Sequence, residues 1–218
     1  MHSQHQRKNL LSSGLFIVSF LIIFAIFVET LELHRLLRFD TRIINVVQRR
    51  IDNPNTRLMK FFTSLGSPMV VSALVAFTAI FLYRKGQKRE AAGMIIANAA
   101  GAGFNESLKY VFRRKRPDIH RLVPAHGYSF PSGHSMGSVM FYGTVCYFIC
   151  RQMTHLFLKT VICVAGGFMV FVTGISRIYL GVHYPSDVVS GYAAAGAWLS
   201  ASIKGCNAFL SRGGTRHV

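Results

Sequence analysis

Three short polar segments interrupt an otherwise apolar chain, and each holds residues able to handle a phosphoryl group. The first is Lys109-Tyr110-Val111-Phe112-Arg113-Arg114-Lys115-Arg116-Pro117. Lys109, Arg113 and Arg116 stand at i, i+4 and i+7, so one continuing helix would stack three cations on a single face. Such cations repel unless an anion lies among them, and the planar guanidinium fork matches phosphate oxygens. Pro117 biases Arg116 away from helical geometry, which predicts a helix end there. The simpler account is a basic flank anchored in lipid head groups.

The second segment is Ser129-Phe130-Pro131-Ser132-Gly133-His134. Ser and Pro before an apolar run are ordinary helix-start chemistry. A helix N-terminus also offers free N–H groups and a positive dipole end to an anion. Gly133 permits close backbone approach, and His134 would stand beside the anion as a proton donor. The third segment runs from Ser176 and Arg177 to His183 and Asp187. A carboxylate bonded to one imidazole nitrogen fixes the tautomer and raises the nucleophilicity of the other. His183 and Asp187 are spaced to meet if the intervening turn opens a helix. Taken singly, a helix cap with an interfacial His and a polar interfacial loop account for these two segments.

The elements that must position these residues are membrane spans. A bilayer-crossing helix needs roughly 20 mainly apolar residues. Six runs qualify: 10–28, 67–83 (its start reaching back toward residue 61), 91–110, 134–150, 157–175 and 186–203. The expected fold is all-α, a six-span transmembrane helix bundle forming one domain over residues 1–218. Arg7 and Lys8 precede the first run and no A-x-A site follows it, so it reads as a retained span rather than a signal peptide. Between spans one and two, residues 41–51 alternate Ile43, Ile44, Val46, Val47 and Ile51 with Arg42, Arg49 and Arg50. That pattern fits a surface amphipathic helix, or one packed on the bundle. Gly and Ala runs in spans three, five and six suit close helix packing. In this plan all three polar segments fall on one side of the membrane. The short basic loop 84–89 places the termini in the cytoplasm and the site at the outer face, although a bare count of basic residues favours the reverse.

Composition excludes several functions. The chain has 218 residues, 51% of them hydrophobic, with 25 Lys+Arg against 8 Asp+Glu and a formal net charge of +17. Its basic residues sit between apolar runs, where they meet anionic lipid rather than nucleic acid. Carboxylates are too few and too scattered to hold Mg²⁺, so no metal site is expected. Cys146, Cys150, Cys163 and Cys206 lack C-x-x-C spacing and read as small buried hydrophobes.

The three segments read together as K-x6-R-P, P-S-G-H and S-R-x5-H-x3-D. This pattern resembles the type 2 phosphatidic acid phosphatase family, related in its site to bacterial acid phosphatases and vanadium haloperoxidases. The resemblance implies a membrane enzyme that needs no cofactor and hydrolyses a lipid phosphate or diphosphate. It implies that His183 is the nucleophile, Asp187 its orienter, and His134 the acid and then base. It implies that Lys109, Arg116, Ser132, Gly133 and Arg177 cradle the phosphoryl oxygens. Undecaprenyl diphosphate, phosphatidylglycerophosphate and phosphatidic acid are the expected substrate types. Membrane lipid is the expected surroundings, in a multi-pass protein of the cell membrane. A non-catalytic anion transporter or anionic-lipid-binding protein is the competing class, and a small soluble phosphate ester the competing substrate. Glu106 is expected to pair with Lys109 or another buried cation, with contact to substrate as the alternative, and Asn98 and Asn105 to bond between helices. Arg113, Arg114, Lys115, His120, Arg121 and His126 read as solvated loop residues near the site, with selection of the lipid head group as the alternative.

Overall fold

A computed structural model describes residues 2–32, 36–118 and 120–211. Among them are eight α-helices and no strand. They are α1 (His2–Glu32), α2 (Leu36–Val47), α3 (Asn53–Leu65), α4 (Pro68–Arg84), α5 (Lys88–Phe112), α6 (Gly133–Gln152), α7 (Leu156–Tyr179) and α8 (Pro185–Ser211). A single 3₁₀ turn, Gln48–Arg50, follows α2.

Local chemistry sets the helix starts. Asp52 caps α3, its Oδ1 accepting from the Asn55 amide at 2.7 Å, and Ser67 caps α4 ahead of Pro68. The chain breaks at Gly66–Ser67, where α3 and α4 meet at 47°. The apolar run read as reaching back toward residue 61 is therefore two helices, because a capping Ser and a Pro restart the second.

α6 sits against α5, α7 and α8, and α1 lies along α8. Small residues allow this closeness: a Cβ on Gly143 of α6 would fall 2.3 Å from Leu199 of α8. One core joins Val71, Val75 and Leu82 of α4 with Met94 of α5 and Phe141 and Phe148 of α6. A second joins Ala97 of α5, Met136 and Met140 of α6, and Ala194 and Ala195 of α8. Large apolar side chains point outward instead, among them Phe16 and Ile22 on α1, Phe77 and Ile80 on α4, and Phe168 and Phe171 on α7. Small residues inside and large apolar ones outside suit a lipid surrounding.

By length and apolar composition, α7 is the one helix among the described residues that can cross a membrane alone. The bent α3–α4 pair makes a second candidate. The apolar stretch Gly14–Thr30 of α1 is shorter, and α5 carries Asn98, Asn105, Glu106 and Lys109 along its length. The amphipathic helix begins earlier than the sequence pattern placed it, at Leu36. It packs on α7 and α8, where Ile44 meets Ile178 and Val188. Arg212 and Arg216, which enter the count of basic residues on the side of the termini, lie outside the described residues.

Candidate active site

The three polar segments converge at one end of α5–α8. α5 stops at Phe112, where Arg113 takes left-handed geometry (φ 46°, ψ 30°). This corrects the single cationic face expected for Lys109, Arg113 and Arg116. Beyond the helix, exposure alternates: Arg113 and Lys115 face out, while Arg114 and Arg116 face in. Period-two alternation belongs to extended chain. Arg113 points away, its Nε donating to the Tyr110 carbonyl at 3.0 Å.

Arg116 is held on three sides before any substrate arrives. Its Nε donates to Gly127 O at 3.0 Å, its Nη2 to His126 O at 2.9 Å, and its Nη1 to Val182 O at 2.8 Å. The same Nη1 lies 3.0 Å from His183 Nε2. Guanidinium can only donate, so Nε2 is the accepting nitrogen and Nδ1 carries the proton. Nδ1 faces Ser129 Oγ at 3.4 Å and Asp187 Oδ2 at 3.5 Å. Ser129 Oγ donates to that same Oδ2 at 2.5 Å, and the Tyr184 amide adds a bond at 2.9 Å. His183 is 2% exposed and Asp187 fully buried. The expected imidazole–carboxylate pair thus exists, opened by α8 starting at Pro185, with Ser129 wedged between its members.

Burial pushes His183 down to about 4, Arg177 and Arg116 push the same way, and the Asp187 bond pulls back. The imidazole is therefore neutral near pH 7, as a nucleophile requires. Arg116 is also lowered from its ordinary value by burial.

The second segment forms the turn into α6. Ser132 caps that helix: its Oγ accepts from the Ser135 amide at 3.4 Å and from Ser135 Oγ at 2.9 Å. Its amide donates to Asp187 O at 3.0 Å, tying the turn to α8. The first amides of α6, on Gly133 and His134, have no intrahelical acceptor by helix geometry and suit an anion. A Cβ on Gly133 would lie 2.9 Å from Asn105 Oδ1 and 3.5 Å from Lys109 Nζ. Glycine is needed there for α5 to approach. Lys109 Nζ donates to Glu106 Oε1 at 2.6 Å, the pair expected from sequence. Asn105 bonds to Pro131 O and Asn98 to Thr144 of α6. His134 stands in the electrostatic reach of His183, Arg177, Lys109 and Arg116.

Arg177, at the end of α7, is buried. Its Nη1 donates to Thr63 Oγ1 of α3 at 2.7 Å, and its buried Nε has no acceptor among the described residues. An unpaired buried donor beside Arg116 and His183 is what an anion would satisfy.

Several site residues escaped the sequence reading. Arg114, read as a solvated loop residue, bonds Asp187 Oδ1 at 2.5 Å and Asp40 Oδ2 at 2.9 Å, its side chain 16% exposed. It was missed because helix spacing was applied to an extended segment. Asp40 and Thr63 carried no motif signal, although Asp40 is a lone carboxylate on an amphipathic helix, and Ser129, which opens the second segment, was read only as helix-start chemistry. Among the described residues, no three His, Cys, Asp or Glu side chains are grouped to hold a metal ion.

Fold and site together define an all-helical bundle, apolar outside, with a buried imidazole–carboxylate pair beneath a cationic anion receptor. The PAP2 superfamily profile matches residues 90–208, which span all three segments, and the chain belongs to that superfamily. A phosphatidylglycerophosphatase B of Bacillus subtilis is 32% identical over 158 residues, 71% of this chain and 76% of that protein. An undecaprenyl-diphosphatase of Sulfolobus acidocaldarius is 24% identical over 185 residues, 82% of this chain and 84% of that one. The crystal structure of a transmembrane PAP2-type phosphatidylglycerolphosphate phosphatase from Bacillus subtilis superposes with a TM-score of 0.79. That match has 27% identity and covers 89% of this chain and 97% of that one. The chain is accordingly a membrane phosphatase, a hydrolase.

Proposed function

We propose that the protein hydrolyses a lipid phosphate or lipid diphosphate through a phosphohistidine formed at His183, without a metal. Relatives named for phosphatidylglycerophosphate and undecaprenyl diphosphate support the lipid class, and phosphatidic acid belongs with them chemically. The observation that carries the mechanism is the orientation of His183, with Nδ1 toward Asp187 and Ser129 and Nε2 toward Arg116.

In the first step Nε2 attacks phosphorus and the bond to the lipid oxygen breaks. His134 gives that oxygen its proton. Asp187 stabilises the charge arising on the His183 ring. In the second step His134 takes a proton from water, the water oxygen attacks phosphorus, and the P–N bond breaks to release inorganic phosphate. Phosphoryl transfer asks mainly for positioning and charge stabilisation. Arg116 and Arg177 supply both, with Lys109 once it shares its ammonium between Glu106 and substrate. The amides of Gly133 and His134 and the Ser132 hydroxyl hydrogen complete the cradle.

The chain reads as one domain of six spans, α1 and α4–α8, with α2 and α3 at the boundary on the site's side. The basic link between α4 and α5 lies at the opposite end, which supports cytoplasmic termini and a site at the outer face. The test is phosphate release from a panel of phosphatidic acid, phosphatidylglycerophosphate and undecaprenyl diphosphate in detergent with EDTA. The wild type is expected to turn over at least one of them and His183→Ala none. Full-rate turnover by His183→Ala would exclude this nucleophile.

A further inference from the structure

The residue that most needs explaining lies outside the family-matched stretch 90–208. Asp40 belongs to α2, which exposes Leu37, Phe39 and Val46, yet it is 1% exposed. A carboxylate is costly to bury unless it is bonded. Asp40 Oδ1 accepts from the Ser186 amide at 2.8 Å. Its Oδ2 accepts from Ser186 Oγ at 2.7 Å and Arg114 Nη2 at 2.9 Å. Burial pushes Asp40 above its ordinary value while these bonds pull it back. Three donors and no acceptor around it fix the ionised form.

Arg114 is the bridge. One arm of its guanidinium holds Asp40. The other holds Asp187 Oδ1 at 2.5 Å and Ser186 Oγ at 2.7 Å. Its plane lies 4.1 Å from the centre of the Tyr184 ring. Asp187 is thus divided, Oδ1 toward Arg114 and Oδ2 toward Ser129, the Tyr184 amide and His183. The two carboxylates also repel each other, so Asp187 gains less net stabilisation from Arg114 than it would if that cation faced it alone.

We propose that Asp40 is a positioning residue for the hydrolytic site, acting through Arg114 and Ser186 to hold Asp187 in place and to set how strongly that carboxylate supports His183. This rests on the reading of His183 as nucleophile and Asp187 as its orienter. The packing of Ile44 against Ile178 and Val188 keeps α2 docked, so a helix outside the three motif segments tunes the reaction.

The charge count gives the test its signs. Asp40, Arg114 and Asp187 together carry one net negative charge. Asp40→Asn leaves the Arg114 cation opposing Asp187 alone, so His183 becomes less basic. Arg114→Gln leaves two carboxylates unopposed, so His183 becomes more basic. The double variant restores the original net charge. The other groups facing His183 stay constant: Arg116 from the loop after α5, Arg177 from α7 and His134 from α6. Around Arg114, Tyr184 also stays, with Asp118 near it.

The experiment measures kcat/KM against pH for the full chain in detergent micelles with whichever of phosphatidic acid, phosphatidylglycerophosphate and undecaprenyl diphosphate the wild type turns over fastest. Asp40→Asn is expected to lower kcat by about 10- to 100-fold, the range that mispositioning costs, and to move the acidic limb to lower pH. Arg114→Gln is expected to move that limb to higher pH, and the double variant to return it toward wild type. Loss of fold alone scales a whole profile down without displacing its limb. Coincident limbs in all variants would overturn the proposal, as would wild-type kcat in Asp40→Asn. If Asp40→Asn does not fold, Arg114→Gln decides alone: an upward limb supports the proposal and an unmoved one refutes it. His183→Ala runs beside them. Turnover by that variant removes the nucleophile reading and this inference with it, whereas a dead His183→Ala with unmoved limbs removes only this inference.

Discussion

Polar residues stand at both ends of the helix bundle, and the two ends differ in how far those residues are removed from water. At the site end, Arg114 and Arg116 are half-buried, Arg177, His183 and Asp187 are buried, and Arg114, Arg116 and Asp187 each make several bonds. At the far end, Gln87 bonds Gln152 at 3.2 Å, and Arg151 reaches the Tyr147 hydroxyl at 3.4 Å. Tyr147 in turn bonds Asn207. Cys150 and Cys163 face each other at 3.8 Å between Sγ atoms. The far-end bonds are mostly exposed, and exposed polar pairs contribute little. The near-end bonds are removed from water, where an unpaired charge is expensive and a paired one is held rigidly. Burial separates the candidate site from the opposite end, where the polar pairs stay in reach of water.

Variants can break that contrast from either side. The largest effect is expected from His183→Ala, which removes the proposed nucleophile. Turnover should fall by at least about 10⁴-fold, as loss of a catalytic nucleophile does elsewhere, measured by phosphate release. Arg116→Lys keeps the charge but loses the fork that bonds Gly127, His126 and Val182 while facing His183. A loss of about 10²–10³ in kcat is expected, the scale of one preorganised donor. Gly133→Ala pushes a methyl toward Asn105 and Lys109. Overpacking costs about 1–3 kcal/mol, so Tm should drop and KM rise with kcat less affected.

The acid dependence of the site end is milder near neutrality. His183 is lowered from 6.5 to about 4 in the folded protein. The unfolded chain therefore binds a proton that the native one refuses between those values. Stability is expected to fall as pH drops from about 6.5 to about 4 and to level off below, in denaturant titrations of wild type against His183→Gln. Activity should persist below the range in which an exposed histidine protonates. The smallest effect belongs to the far end: Gln87→Ala should leave kcat within about twofold and stability within about 0.5 kcal/mol. A large loss there would dissolve the contrast between the ends.

Much of this was legible in the chain itself. Lys109, Arg116, Ser132, Gly133, His134, Arg177, His183 and Asp187 were named from three short patterns, and the structure brings them to one place. The helices α4 to α8 followed from apolar runs, with bounds shifted by a few residues. What escaped was of two kinds. Arg114 was misjudged because its segment leaves the helix at Arg113, and a local backbone angle reassigns which side chains face inward. Asp40 and Thr63 reach the site only through packing between elements distant in sequence, and the bond from Ser129 to Asp187 depends on the same packing.

The sequence by itself determined the chemistry available: cations, two imidazoles, one carboxylate and a glycine turn at helix ends, in a chain too apolar for water. Those properties are local, since charge, spacing and capping act within a few residues. Only the tertiary structure decided which nitrogen of His183 accepts, which arginine faces Asp187, and that a helix between the first two apolar runs closes the site from behind. Those outcomes depend on distances across the bundle, which are set when separate helices pack.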